Sequence, residues 1–378
     1  MKLPTIRSRF FQLGCASSLA ILVLVTIPAS SLLGFEDESQ PSTHPSQTNM
    51  QIPQGKLIQS NSSESWSIAI HGGAGGDLSR WTDLQRKSRI DGLKAALNHG
   101  RELLAQSATA VDVAQAVVQI LEDNPNFNAG RGAVLNSMGD VSLDASIMDG
   151  SDLSCGAVAS VATVKNPIQL ARAVRDKTPH VLLCGDPADQ FAKELGLPQE
   201  KQEYFKTSEQ IESWKQWKAK QAAKTSATSY NDHDRGPDRL FYLGTVGCVV
   251  RDKMGNLAAA TSTGGLLGKR YGRVGDSPVI GAGTYAKNST CAISCTGVGE
   301  LYIKNHIASA ISARMEHLNE TLEQATKFAI HKTLPVDSGG LIAVDQKGNV
   351  ELQFNTPIMA RGIAKSDGTF HVGLKDLE

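Results

Sequence analysis

The chain has 378 residues, a formal net charge of +0 and 20% charged residues. This length accommodates one large domain or two ordinary ones with ample core, and the balanced charge excludes the basic footprint of a nucleic-acid binder. The 35 glycines fall in short clusters rather than at a fixed period, which marks turns where backbone comes close to something else.

Residues 1–31 read as a secretory signal peptide. Lys2, Arg7 and Arg9 precede an apolar run at residues 19–27, and Pro28-Ala29-Ser30-Ser31 follows: a basic flank, a short apolar core and small residues. An uncleaved anchor over residues 13–33 is the alternative, weakened by Ser17, Ser18, Pro28, Ser30 and Ser31. The expected location is periplasmic or extracellular, with membrane association only if the leader is retained. Residues 32–65, rich in Ser, Gln and Pro, read as a flexible spacer, and residues 66–378 as a single folded domain. Of six cysteines, Cys15 belongs to the leader, and an odd remainder does not describe a disulfide framework. Cys291 and Cys295, within the strand-like "TCAISC", face the same way and read as buried thiols. Neither has metal-ligand spacing, and no HExxH occurs.

From Trp66 the pattern is mixed α/β. "WSIAIHGGAGG" alternates Trp66, Ile68 and Ile70 with smaller residues and then breaks into glycines. Two helical stretches follow; in the second, Thr109 caps with Asp112 three residues on, and Val113, Val117, Ile120 and Leu121 hold one face. The turn-rich "NPNFNAGRGAVLNSMGD" leads into strand-like "VSLDASIMDG" and "CGAVASVATV". Residues 168–174 and 187–195 look helical. A polar Lys-, Gln- and Ala-rich segment begins at Ser208 and passes into "SATSYNDHDRGPDR", which has no apolar period; a mobile linker is expected over about residues 219–243.

After the linker, "YLGTVGCVVRDKMGNLAAATSTGG" reads as a hairpin about Met254-Gly255-Asn256. Glycine-rich loops, a strand in "STCAISC", helices over residues 301–317 and 321–331, and the hairpin "GGLIAVDQKGNVELQF" complete the pattern. Neither half closes by itself, so strands from both halves are expected to enter shared sheets with helices on the outer faces. Strands arriving as hairpins, without a G-x-G-x-x-G opening a helix, disfavour a doubly wound nucleotide fold.

Thr245 stands at the start of a core strand, directly after Gly244 and a mobile approach. A hydroxyl there has the chemistry to attack the Gly244 carbonyl, form an ester, and on hydrolysis free an α-amine with an unperturbed pKa of about 8. That amine is then a built-in general base for its own hydroxyl. Residue type alone favours an ordinary β-branched strand residue; the context favours a nucleophile.

"HGGAGG", "NAGRGAVLN", "LDASIMDG", "GTVGCVV", "GNLAAATSTGG", "GRVGDSPVIGAG" and "SCTGVGE" together resemble the plant-type asparaginases, or isoaspartyl peptidases, from Trp66 to the C-terminus. The resemblance implies an N-terminal-nucleophile hydrolase with an α+β, αββα sandwich. It implies cleavage between Gly244 and Thr245 into chains of residues 66–244 and 245–378, and assembly as (αβ)₂. By the same resemblance Thr245 is the nucleophile, Thr263 the hydroxyl beside it, and Thr296 and Gly297 the oxyanion hole. Arg273 and Asp276 in "GRVGDS", with Val274 and Gly275 between them, are the clamp on a substrate's α-carboxylate and α-amine. Val298 and Gly299 add backbone contacts, and Asn128 organises the site. Leu121, Glu122, Asn124, Phe127, Ala129 and Arg131 match a loop that binds structural sodium through main-chain carbonyls; no cofactor is expected for catalysis. Arg131 is bulkier than such a loop calls for, and Lys269 and Arg270 beside Arg273 are candidates for attracting acidic leaving groups. The implied substrates are asparagine and short isoaspartyl peptides. A glycosylasparaginase, or an exported binding protein with a dead nucleophile, are the alternatives.

Overall fold

A computed structural model describes residues 64–225 and 244–377. The expected signal peptide, the spacer up to residue 63 and residues 226–243 of the expected linker lie outside the described residues. Strand β1 (Ser67–Ala74) is followed by helices α1 (Asp83–Ala105) and α2 (Ala110–Asp123), then β2 (Leu143–Asp149), β3 (Cys155–Val161), α3 (Pro167–Lys177), β4 (Leu182–Cys184), α4 (Gly185–Glu194), α5 (Gln202–Phe205) and α6 (Ser208–Thr225). Helix α6 thus runs past residue 219, which corrects the expected start of the linker: its Lys, Gln and Ala are good helix formers, and Trp214 ties it down by donating from Nε1 to the Asn136 carbonyl at 2.9 Å.

Beyond Gly244 come β5 (Val246–Arg251), β6 (Leu257–Thr263), β7 (Thr284–Ala286), β8 (Cys291–Gly297), α7 (Gly299–Asn305), α8 (Ile307–Leu318), α9 (Leu322–Phe328), β9 (Gly339–Asp345), β10 (Val350–Phe354), β11 (Met359–Lys365) and β12 (Phe370–Gly373). The single helix expected over residues 301–317 is broken at His306, whose φ of 47° is left-handed. Helix α9 passes into a π-helical turn, Ala329–Thr333.

Two sheets result, of order β12-β11-β1-β5-β6-β2-β3-β4 and β10-β9-β8-β7. The larger takes strands from both sides of Gly244–Thr245, as expected. The smaller comes wholly from the second half, which corrects the expectation that both sheets are shared. Strand alternation explains the four layers. In β1, Ile68 and Ile70 join Val113, Val117 and Leu121 of α2 in a core beneath the first-half helices, with Val246, Cys248 and Val250 of β5. Alternate residues Ala69, Val249 and Ala259 turn the other way and meet Ala292, Ile342 and Val344 of the smaller sheet. On that sheet's outer face Cys291, Ile293 and Cys295 bury against Ile307, Ile311 and Leu322. The order is helix, sheet, sheet, helix: the αββα sandwich.

The cysteines fit this reading. Cys248, Cys291 and Cys295 are buried and unbridged, Cys155 is half-buried and Cys184 exposed. Among the described residues no helix is long and apolar enough to cross a membrane.

Candidate active site

At one end of the sandwich the residues facing between the sheets change from apolar to hydroxylic. Thr245 precedes β5 by one residue, Thr261 and Thr263 sit on β6, and Ser294 and Thr296 on β8; all five are buried. Alternation sends each of them into the same layer. The Thr245 hydroxyl donates to Thr263 Oγ1 at 3.2 Å, and the Gly265 N–H donates to the same oxygen at 2.9 Å. With an N–H already on one lone pair, Thr263 is oriented to receive the Thr245 proton on the other. Thr296 lies beside the Gly244–Thr245 bond: its Oγ1 would stand 3.3 Å from a Cβ built on Gly244. That oxygen accepts from the Ala74 N–H at 3.1 Å, which fixes it at the end of the "HGGAGG" stretch. Gly297 has φ 147°, and a Cβ there would meet the Ser338 carbonyl oxygen at 2.2 Å, so only glycine fits.

Asn128 holds the turn after Thr263. Its Nδ2 donates to the Gly265 carbonyl at 2.9 Å, its Oδ1 accepts from the Val134 N–H at 2.9 Å, and its carbonyl accepts from the Gly264 N–H at 3.1 Å. Two of these bonds pin Gly264 and Gly265, which in turn orient Thr263, and the third ties Asn128 itself to Val134.

Arg273, Asp276 and Gly299 converge on one cradle. A Cβ on Gly299 would lie 2.7 Å from Asp276 Oδ1 and 2.9 Å from an Arg273 terminal nitrogen, and one on Gly275 would lie 2.8 Å from the other terminal nitrogen. Asp276 is buried, and its Oδ2 has no hydrogen-bond partner. Burial, only partly opposed by Arg273, raises its pKa to about 7. An orphan carboxylate oxygen in a closed cradle is a site for an ammonium. Arg273 is engaged by Glu300, Nε to Oε1 at 3.0 Å and a terminal nitrogen to Oε2 at 3.2 Å. Glu300 is the last residue of "SCTGVGE", and the sequence reading passes over it because only the fold shows which cation it faces.

Of the two neighbouring cations expected to attract acidic leaving groups, Lys269 is committed elsewhere, while Arg270 is exposed. Lys269 is buried, donates to the Ser142 carbonyl at 2.7 Å and lies 3.5 Å from Asp144. Arg270 stacks over Trp217 at 5.7 Å from the ring centroid.

Among the described residues no group of three His, Cys, Asp or Glu side chains could hold a metal ion. The carbonyl loop is a different kind of site. Gly130 and Gly132 both have positive φ; a Cβ on the first would meet the Glu122 carbonyl oxygen at 2.5 Å, and one on the second the Pro125 and Phe127 oxygens at 2.4 and 2.8 Å. Glycine lets carbonyl oxygens crowd here, the kind of ligand a hard cation takes; of these carbonyls, that of Glu122 already accepts from the Arg131 N–H at 2.7 Å. The Arg131 side chain is no obstacle, since its guanidinium stacks on Tyr204 at 5.5 Å and leaves its carbonyl to the loop. Glu122, fully buried with its pKa raised to about 8 by burial, accepts from Ser262 Oγ at 2.6 Å and carries a second oxygen without a hydrogen-bond partner.

Burial of Asp276 makes a stability prediction. Its folded pKa, about 7, lies above the ordinary 3.8, so the folded state resists the charged form. The associated stability is fully present below pH 4 and is lost as pH rises through 7. Asp276→Asn is therefore expected to stabilise the fold at pH 8, by on the order of 2–4 kcal/mol at full effect, seen as a higher Tm whose increment vanishes below pH 4, while weakening substrate capture. An equal Tm shift at both pH values would contradict the assignment.

A four-layer sandwich that carries a buried threonine at a strand start, with a second hydroxyl and a carboxylate–guanidinium cradle beside it, is the architecture of an N-terminal-nucleophile amidohydrolase. Residues 64–374 match the asparaginase family. The chain is 42% identical over 322 residues to the probable isoaspartyl peptidase/L-asparaginase 2 of Arabidopsis thaliana, covering 82% of this chain and 98% of that protein. It is 42% identical over 311 residues to the isoaspartyl peptidase of Escherichia coli K12, covering 81% and 95%, and 40% identical over 310 residues to the Homo sapiens isoaspartyl peptidase/L-asparaginase, again covering 81% and 95%. The chain belongs to the asparaginase family.

Proposed function

We propose that this protein is a self-processing hydrolase of β-aspartyl amide bonds, acting on N-terminal isoaspartyl peptides and on asparagine. The observation that carries the reading is the Thr245 hydroxyl, 3.2 Å from Thr263, beside a cradle in which Asp276 has an unpartnered buried oxygen.

In processing, Thr245 Oγ attacks the Gly244 carbonyl carbon, and the peptide bond gives way to an ester with the proton passing to the Thr245 nitrogen. Water then hydrolyses the ester, leaving Gly244 as a carboxylate and Thr245 with a free α-amine. In turnover that amine takes the hydroxyl proton as Oγ attacks the substrate's β-carbonyl carbon. The Thr296 hydroxyl and the Gly297 N–H stabilise the oxyanion, a role in which one donor is worth about 3 kcal/mol. The leaving amine departs with the proton, and water releases aspartate from the acyl ester. Arg273 and Asp276 hold the substrate's α-carboxylate and α-amine, with Val274, Gly275, Val298 and Gly299 lining the cradle.

The test is direct. N-terminal sequencing of the smaller chain is expected to begin Thr-Val-Gly, and β-Asp-Leu and asparagine to be hydrolysed. An active enzyme that stays a single chain would overturn the mechanism, and preferential turnover of glucosaminyl-asparagine would move it to the glycosylasparaginases.

Three further readings belong to this proposal. The carbonyls of Leu121, Glu122, Asn124, Phe127, Ala129 and Arg131 hold a sodium ion that rigidifies the loop containing Asn128; Tm is expected to fall when sodium is replaced by choline at equal ionic strength, and an unchanged Tm removes the ion. The processed chains assemble as (αβ)₂, carried by the resemblance alone, and sedimentation at the mass of one αβ unit would reverse this. Export rests on Lys2, Arg7, Arg9 and the apolar run after them, and an intact leader in the membrane fraction would favour the anchor.

A further inference from the structure

His71 lies in the "HGGAGG" stretch on β1, fully buried between the sheets. Its Nδ1 is 2.9 Å from the Thr245 carbonyl oxygen and its Nε2 is 2.8 Å from Ser294 Oγ. A carbonyl oxygen only accepts, so Nδ1 carries the proton. Burial lowers the ring's pKa to about 3, against the opposing pull of the Thr245 carbonyl, so the ring is neutral and Nε2 accepts from Ser294.

The remaining hydroxyls follow one direction. With its proton committed to His71, Ser294 accepts from Thr261 at 2.7 Å, and Thr261 accepts from Thr284 at 2.5 Å. Ser146 supplies the last hydroxyl, 2.8 Å from Thr284 and 2.6 Å from the carbonyl of Ser277, the neighbour of Asp276. Every member is uncharged, and the direction of the chain is set from its His71 end, by the Nδ1–H that the Thr245 carbonyl requires. Gly247 makes room for this arrangement: a Cβ there would stand 2.0 Å from Ser294 Oγ and 2.4 Å from His71 Nε2.

The pairing of β1 with β5 stops at His71 opposite Gly247, and that of β5 with β6 begins at Val246 opposite Ser262. Thr245 lies outside both ladders, two residues beyond the first and one beyond the second. While Gly244 is attached, the chain restrains Thr245 from both sides; once it is released, Thr245 is a chain terminus, where fraying is the rule. Two side-chain contacts then flank its Cα, Thr263 on the hydroxyl and His71 on the carbonyl. We propose that His71 is a positioning residue for the nucleophile, its Nδ1–H holding the Thr245 carbonyl so that hydroxyl and new α-amine keep their geometry after the chain is cut. The anchor is supplied by the larger chain to the terminus of the smaller one. The inference rests on Thr245 being the nucleophile, as proposed above.

Two amides separate the ring nitrogens. Asparagine places its amide where Nδ1 stands, and glutamine places its amide where Nε2 stands. His71→Asn is expected to process and to keep kcat on β-Asp-Leu within about 5-fold. His71→Gln is expected to process slowly and to lose at least 30-fold in kcat with KM within about 3-fold, because ground-state binding is left to Arg273 and Asp276. Equal effects of the two variants, or a loss confined to KM, would overturn the role. Nitrogen-15 NMR of histidine-labelled wild-type enzyme gives a reading that needs no variant. A neutral ring protonated at Nδ1 at pH 7 is expected, and an imidazolium or the opposite tautomer would overturn it. If wild-type protein neither cleaves itself nor hydrolyses β-Asp-Leu, the functional proposal has failed instead, while the tautomer still reports on His71.

Discussion

Thr245→Ala is expected to give a single uncut chain with no measurable hydrolysis of β-Asp-Leu or asparagine. Thr245→Ser is expected to process and turn over with reduced rate. Alanine removes the one atom that serves as nucleophile in both reactions, and an acyl transfer that depends on a covalent ester has no partial substitute for it. Serine keeps the oxygen but loses the γ-methyl, which frees χ1 from its β-branched restriction. With the 3.2 Å contact to Thr263 no longer enforced by a stiff rotamer, its attack geometry is populated less of the time. Electrophoresis of each variant after prolonged incubation, beside rates on β-Asp-Leu, checks both statements. Cleavage persisting in the alanine variant would point to another protease.

The chemistry of this site was more legible in the sequence than its framework. Local patterns carry what local forces decide: the Thr109 cap forms, with Asp112 N–H to Thr109 Oγ1 at 3.3 Å, and Val113, Val117 and Leu121 bury as their spacing predicts. Cys291 and Cys295 face the outer helices together, as a strand with period two requires. Pairing across the sandwich is non-local, and the sequence does not display it. Whether a hairpin joins one sheet or the other depends on which face meets which, so the independence of the smaller sheet was not readable. The β11–β12 hairpin lies beyond the predicted elements even though Asp367-Gly368 marks its turn, because its large apolar residues, Met359 and Ile363 on one strand and Phe370 and Val372 on the other, are too few to stand out as a strand pattern.

The same distinction separates the site residues. Thr245, Thr263 and Thr296 are identified by motifs, and the fold brings their hydroxyls into one buried layer. His71 sits within the "HGGAGG" motif, but its partners come from the residue before β5 and from β8, so nothing short of the packed sheets shows what it holds. One signal was present: Gly247, inside an otherwise β-branched strand, marks a close approach. Lys269 illustrates the opposite error. Proximity in sequence to Arg273 suggests a shared role, yet burial commits Lys269 to Asp144 and Ser142.

β-Asp-Leu is expected to be cleaved and α-Asp-Leu to be left intact, with at least 10³-fold separation in kcat/KM. The argument is one of charge pairing in the cradle. An aspartyl unit joined through its β-carboxyl keeps both a free α-carboxylate and a free α-amine. The amine can meet the unpartnered oxygen of Asp276, and the carboxylate can meet Arg273, whose guanidinium is otherwise shared with the half-exposed Glu300. In the α-linked isomer the α-carboxyl is consumed by the peptide bond, so the substrate has no carboxylate to offer Arg273, which stays paired with Glu300, and the scissile carbonyl is displaced from Thr245. Loss of a charge-assisted fork contact together with a misplaced scissile carbonyl is worth on the order of a 10³-fold discrimination. Arg273→Ala is expected to lower kcat/KM for β-Asp-Leu by about 10²-fold or more and so to narrow the gap between the isomers, because only the β-linked substrate uses that residue. Arg273→Lys keeps the charge but loses the planar fork, and an intermediate loss is expected. The comparison is made by following leucine release from both dipeptides with each variant. If wild-type enzyme hydrolysed the two isomers at similar kcat/KM, or if Arg273→Ala weakened both alike, Arg273 and Asp276 would not be the residues that read the aspartyl α-substituents.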